Sequence, residues 1–210
     1  MSHSAERRTD VHPDHVAGNG HPLGADPSPA LRRVVGGIAL PAFVMDRYWD
    51  VVAHNALAAA LFPGGGAGAG PEGMVGRNVV RYVLTSDWRT RVRGWEGHAR
   101  TAVAGLRGSL APVFAETPED ARATALVAAL TRESGEFRVW WAEHSVWAGE
   151  RPVALVQHHP LVGPVEVEAT LLDVRGDAAL TLVVYAPCDA TSAAALARLR
   201  DVRPRAGAVA

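Results

Sequence analysis

Val165-Glu166-Val167-Glu168-Ala169-Thr170-Leu171, the turn Arg175-Gly176-Asp177, and then Leu180-Thr181-Leu182-Val183-Val184-Tyr185 make up the stretch that decides the fold. In the first run, apolar residues at 165, 167, 169 and 171 alternate with Glu166, Glu168 and Thr170. In the second, Leu180, Leu182 and Val184 alternate with Thr181, Val183 and Tyr185. A period of two puts successive side chains on opposite faces, so each run reads as a strand with one buried face. The short turn makes the pair antiparallel. Val153, Leu155 and Gln157 open a third alternating run upstream.

Further upstream, Pro41-Ala42-Phe43-Val44-Met45-Asp46 and Trp49-Asp50-Val51-Val52-Ala53-His54 flank the polar corner Arg47-Tyr48 and read as a hairpin. The segments between these strands have helical period. Ser28-Pro29 provides an N-cap and a proline at the first helical position for Ala30–Val35, which stops at Gly36-Gly37. Asn55 caps a run through Phe62. Residues 77–106 carry one helical pattern, with Trp88, Val92, Trp95, Ala99, Val103 and Leu106 at three- and four-residue steps. Thr117-Pro118-Glu119-Asp120 opens Ala121–Thr131, Ser134 caps a helix running to about His144, and Asp189 starts a last helix through Leu199. Two strands, a helical insertion, three strands and a helix predict an α+β fold: a five-stranded antiparallel sheet with helices packed on one face.

Composition narrows the functional classes. The formal charge is −1 and the arginines are dispersed, without the basic stripe that phosphate binding requires, so no direct nucleic-acid binding is expected. No apolar run approaches the length of a membrane span, and no apolar segment follows the N-terminal charges as in a secretory signal. The single Cys188 allows no intramolecular disulfide and no cysteine metal cluster. The expected location is cytoplasmic, with no metal and no cofactor. Residues 1–27, with His3, His12, His15 and His21, read as a disordered leader, 28–203 as one domain, and 204–210 as a flexible tail. The glycine-rich stretch Pro63–Gly76 reads as a loop. It lacks the Lys-Ser/Thr of a phosphate-binding loop, and no nucleophile elbow, zinc-protease motif or dinucleotide fingerprint occurs.

Four runs resemble the ligand-binding domain of MmyB-like transcription regulators: Pro41 to Asn55, Phe137-Arg138-Val139-Trp140-Trp141-Ala142-Glu143-His144-Ser145-Val146, His159-Pro160-Leu161-Val162-Gly163, and Leu182-Val183-Val184-Tyr185-Ala186-Pro187. Their order and spacing fit that family from about residue 28 to 203, and the Phe-Arg-x-Trp-Trp-x-x-His segment is the most specific. The resemblance implies a PAS-like sheet and a helical cap that enclose an apolar pocket for a small hydrophobic or amphipathic molecule, with a fatty-acid-like ligand in view. Members of the family carry a helix-turn-helix domain ahead of this one. Residues 1–27 lack its apolar period, so a stand-alone sensor is expected, regulatory through a homodimer or a regulator partner.

The candidate ligand-binding residues are Phe43, Tyr82, Trp95, Arg138, Trp140, Trp141 and His144. Residues 137, 140, 141 and 144 share a helical face, which offers either an apolar pocket wall with one polar anchor or a packing surface between cap and sheet. Neighbouring tryptophans point about 100° apart, so at most one faces straight into a pocket. Arg138 suits an acidic head group or a surface ion pair with Glu143 or Asp120. His158 and His159 point to opposite faces of a strand and cannot chelate one metal in the usual way, and His159 reads as structural. The alternative function is a cofactor-independent enzyme of specialised metabolism doing acid–base, cyclisation or hydrolysis chemistry. Its first acid–base candidates are His144, His158 and Tyr185.

Overall fold

In a computed structural model the described residues are 26–63, 73–143, 154–175 and 179–201. The leader through residue 25, most of the glycine-rich loop, His144, residues 176 and 177 of the predicted turn, and the C-terminal tail from 202 lie outside them. The elements are α1 (Pro29–Gly37), β1 (Ala42–Asp46), β2 (Val51–His54), α2 (Ala56–Leu61), α3 (Val79–Thr85), α4 (Trp88–Arg91), α5 (Trp95–Glu116), α6 (Ala121–Glu133), α7 (Gly135–Ala142), β3 (Leu155–His159), β4 (Gly163–Asp173), β5 (Leu180–Pro187) and α8 (Ala190–Asp201). The five strands form one antiparallel sheet in the order β2-β1-β5-β4-β3. This is the α+β, PAS-like layout that the order of strands and helices predicts.

Local capping explains several boundaries. Ser28, Asn55 and Ser134 each accept a hydrogen bond from the backbone N–H three residues on and start α1, α2 and α7. Asn55 does more than cap. Its amide nitrogen donates to the carbonyls of Ile38 (3.1 Å) and Leu40 (2.7 Å), and its oxygen also accepts from Ala42 N–H (3.2 Å). One buried side chain thus ties α2 to the approach into β1. At α6 the cap is Asp120, whose carboxylate accepts from Ala123 N–H at 2.7 Å. Thr117 instead closes α5, its N–H donating to the Val113 carbonyl at 2.8 Å.

The helical pattern over 77–106 divides into three helices. Between α4 and α5 the chain turns extended, pairs Val92 with Gln157, and donates Arg93 N–H to the Val156 carbonyl at 2.9 Å. These bonds satisfy part of the open edge of β3, and Gly94, at φ 65°, then reverses the chain into α5. A non-local backbone interaction outweighs continuous helical periodicity here.

The sheet carries two apolar layers. Phe43, Met45 and Val183 face the larger core, beneath α3 to α7. Ala42, Val44, Leu180, Leu182 and Val184 point the other way, where Val35 of α1 covers them. The helical cap therefore sits on one face, and α1 adds a smaller cover on the other.

Candidate functional site

A cavity of about 750 Å³ lies between the sheet and the cap. The strand register builds its floor in three rows: Met45, Thr181 and Asp173; then Phe43, Val183 and Leu171; then Tyr185 and Ala169. Leu171, 43% exposed, and Asp173 mark the open side. At the other end of these rows Tyr185 packs against Phe62, ring centroids 4.9 Å apart and edge to face. The alternation that defines strands β4 and β5 thus also supplies one wall of the cavity.

Helix α5 forms the opposite wall through His98, Thr101, Ala102, Gly105 and Ser109, spaced at helical steps. Most of these residues are small, which leaves room between helix and sheet. Trp49 reaches into that room from the hairpin corner. Its φ is 65°, a left-handed conformation uncommon for a bulky residue, and its indole nitrogen donates to Ser109 Oγ at 3.0 Å. Asp46 holds this corner, its carboxylate accepting from the N–H groups of Tyr48 (2.9 Å) and Asp50 (3.0 Å).

Polar groups are few on this apolar surface, and most have partners. Tyr82 donates to the Pro63 carbonyl (3.1 Å), and Trp88 donates to Gln157 Oε1 (3.1 Å). At the cap rim Arg100 pairs with Glu143 at 2.9 Å and lies 4.8 Å over the Trp140 ring. The Tyr185 hydroxyl has no hydrogen-bond partner among the described residues, and burial pushes it well above the usual tyrosine range. His98, set edge-on to Trp88 at 6.5 Å, is drawn down by burial, so the neutral imidazole is favoured. Arg77 lies 4.8 Å over the Tyr82 ring and donates to the Phe62 carbonyl at 3.0 Å. Burial lowers its pKa, and no carboxylate pairs with it among the described residues.

Of the candidate residues, Phe43, Tyr82, Trp140 and Tyr185 line the cavity. Trp140 takes the inward position, while Trp141 stacks on Phe137 at 5.2 Å beneath the Arg107 guanidinium. Trp95 lies behind Trp140, donates to the Val83 carbonyl at 2.7 Å, and is covered by Arg89. Arg138 is exposed on α7, and Glu143 is engaged by Arg100 instead. His158 is exposed on β3, away from the cavity lining. His159 is buried. Its Nε2 donates to the Ala60 carbonyl (2.8 Å), and Nδ1 accepts from Leu161 N–H (3.2 Å), which pins the β3–β4 turn to α2. His144 lies outside the described residues.

Trp49, Arg77 and His98 are cavity residues that periodicity did not single out. The spacing of small and polar residues along α5 was the available signal for His98. Nothing local marks Arg77. No group of metal-ligating side chains occurs among the described residues, and no helix there is long and apolar enough to cross a membrane.

No curated protein matches the chain. A family model, the MmyB-like transcription regulator ligand binding domain, matches residues 27–199, the span that contains the sheet, the cap and this cavity. With most of its length matched and the expected sheet enclosing an apolar cavity, the chain belongs to the MmyB-like ligand-binding-domain family.

Proposed function

We propose that this protein is a small-molecule sensor whose cavity takes a hydrophobic or amphipathic metabolite of fatty-acid-like character. The observation that carries this reading is the roughly 750 Å³ aromatic-lined space between sheet and cap, with a few convergent polar groups, the usual make-up of a ligand site. A family built around ligand binding supports it. Occupancy would act on the cap, since α3, α5 and α7 all contribute to the walls, and the output passes to a protein partner or a second copy of the chain.

The acid–base alternative gains no specific support. Burial moves Tyr185 further from neutral titration, and His158 is remote from the cavity.

The test is native mass spectrometry of the purified protein with solvent extraction, followed by thermal-shift screening of aliphatic and aromatic acids and alcohols. Co-purified or added compounds that raise the melting temperature are the expected result. An empty protein that responds to none of them overturns the reading.

A further inference from the structure

The corner between β1 and β2 holds a charge cluster that reaches the cavity from behind. The buried Asp46 and the partly buried Asp50 share one guanidinium. A single Arg122 nitrogen, from α6, donates to Asp46 Oδ2 at 2.9 Å and to Asp50 Oδ2 at 2.7 Å. The same guanidinium lies 4.1 Å over the Tyr48 ring, whose hydroxyl donates to the Asp120 carboxylate at 3.1 Å. From the α3 side, the Asn78 amide donates to Asp50 Oδ1 (2.9 Å) and to the Tyr48 carbonyl (2.8 Å), and Val79 N–H donates to the Trp49 carbonyl at 2.8 Å. No residue of α6 lines the cavity, so Arg122 acts on the wall through this corner and the Trp49 indole it carries.

Two carboxylates on one guanidinium leave one negative charge unanswered in a buried place. Among the described residues, the charged groups acting on the Asp46 carboxyl are Asp50 and Arg122. Its β5 neighbours Leu180 and Thr181, and Ser109 of α5 at the corner, do not titrate. Tyr48 stays protonated, because burial and its bond to Asp120 hold it above the usual tyrosine range, and Arg47 is exposed. Burial, and then the Asp50 charge, outweigh Arg122 and push the Asp46 carboxyl up to about 6. Below that pH a proton on Asp46 leaves Asp50 and Arg122 as a matched pair, while Oδ1 still accepts from the N–H groups of Tyr48 and Asp50. Above it the extra charge calls for water, and the corner has to open to admit it. It yields most readily at its strained residue, Trp49, with φ 65°.

We propose that Asp46, Asp50 and Arg122 form a proton-operated latch on the cavity wall. Protonated, it seats Trp49 against Gly105 and Ser109 and closes that side of the cavity. Ionised, it releases the indole and loosens the wall, so an occupant is held in acid and let go towards neutral pH. The consequence for binding rests on the ligand-binding reading; the movement of Trp49 does not.

The first test follows the Trp49 indole N–H by NMR in the isotope-labelled full chain, from about pH 4.5 to 7.5, with Trp49→Phe to assign it. The resonance should titrate with a midpoint near 6. Asp46→Asn should abolish the titration and keep the resonance at its acid position. Arg122→Gln should raise the midpoint and Asp50→Asn should lower it, each by about half a unit or more, opposite movements that loss of packing does not produce. Should Asp46→Asn fail to fold, those opposite movements decide. The second test is fluorescence titration with N-phenyl-1-naphthylamine, a probe uncharged over this range. Its affinity should fall about fivefold between pH 5 and 7 in the parent and change by less than about twofold in Asp46→Asn. A Trp49 resonance that does not titrate, that titrates alike in Asp46→Asn, or whose midpoint moves the same way in Arg122→Gln and Asp50→Asn overturns the latch. A titrating Trp49 with equal probe affinity at both pH values overturns its coupling to binding and leaves the pocket standing. A probe bound at neither pH overturns the pocket reading, and the latch is then judged by Trp49 alone.

Discussion

The indole of Trp49 lies against the backbone of Gly105, so close that a Cβ there would sit 2.5 Å from Trp49 Cζ2. The contact joins the strained corner between β1 and β2 to the middle of α5, and the indole N–H completes it by bonding Ser109 one turn on. Glycine inside a long helix normally costs stability, and here it makes room for the ring that closes one side of the cavity.

Gly105→Ala should accordingly destabilise the protein. Helix propensity favours alanine by about 1 kcal/mol, but displacing a half-buried indole costs about 1–3 kcal/mol. A net loss of about 1 kcal/mol in urea unfolding is expected. Alanine at the exposed Gly108, where nothing lies within 4 Å of a Cβ, should stabilise instead. A gain at both positions would show that the Trp49 contact carries no weight.

Gln157 is fully buried on β3 and relays two bonds, accepting from Trp88 Nε1 and donating to the Leu61 carbonyl at 3.0 Å. Gln157→Leu has similar volume but strands a buried indole N–H and a carbonyl. A loss of about 2–4 kcal/mol in chemical denaturation is expected. A change below about 0.5 kcal/mol would mean that both groups find other partners.

Asn55→Ala should cost about 2–4 kcal/mol, because it removes the cap of α2 together with the bonds to Ile38, Leu40 and Ala42. Asn55→Asp should recover only the acceptor half. Equal melting temperatures for the two variants would contradict this division.

Asp46 should make stability depend on pH in the direction opposite to most carboxylates. Burial, and then the negative charge of Asp50, push its pKa from 3.8 up to about 6, against the pull of Arg122, which bonds Asp46 at 2.9 Å and Asp50 at 2.7 Å. Because the folded value lies above the unfolded one, the contribution is fully present below about pH 3.8. It is lost as pH rises through about 6. The size is on the order of 2–3 kcal/mol. Melting curves of the parent and Asp46→Asn between pH 4 and 7 should show the parent's advantage shrinking as pH rises; an advantage that grows with pH would reverse the assignment.

The sequence by itself determined the order of elements, the alternation in β4 and β5, the family, and the caps at Ser28, Asn55 and Ser134. All of these depend on side-chain period or on contacts within a few residues along the chain. It also placed Phe43, Tyr82, Trp140 and Tyr185 among the candidate site residues, although two-residue and helical periods could not say which tryptophan turned inward. Only the tertiary structure decided that. It also decided that residues 77–106 break where Val92 meets Gln157, that Trp49 nests on Gly105, and that the Phe62 carbonyl takes the Arg77 guanidinium while its ring packs on Tyr185. These pairs lie tens of residues apart, and their energies come from edge pairing, close packing and desolvated charge, which exist only after the cap has closed on the sheet.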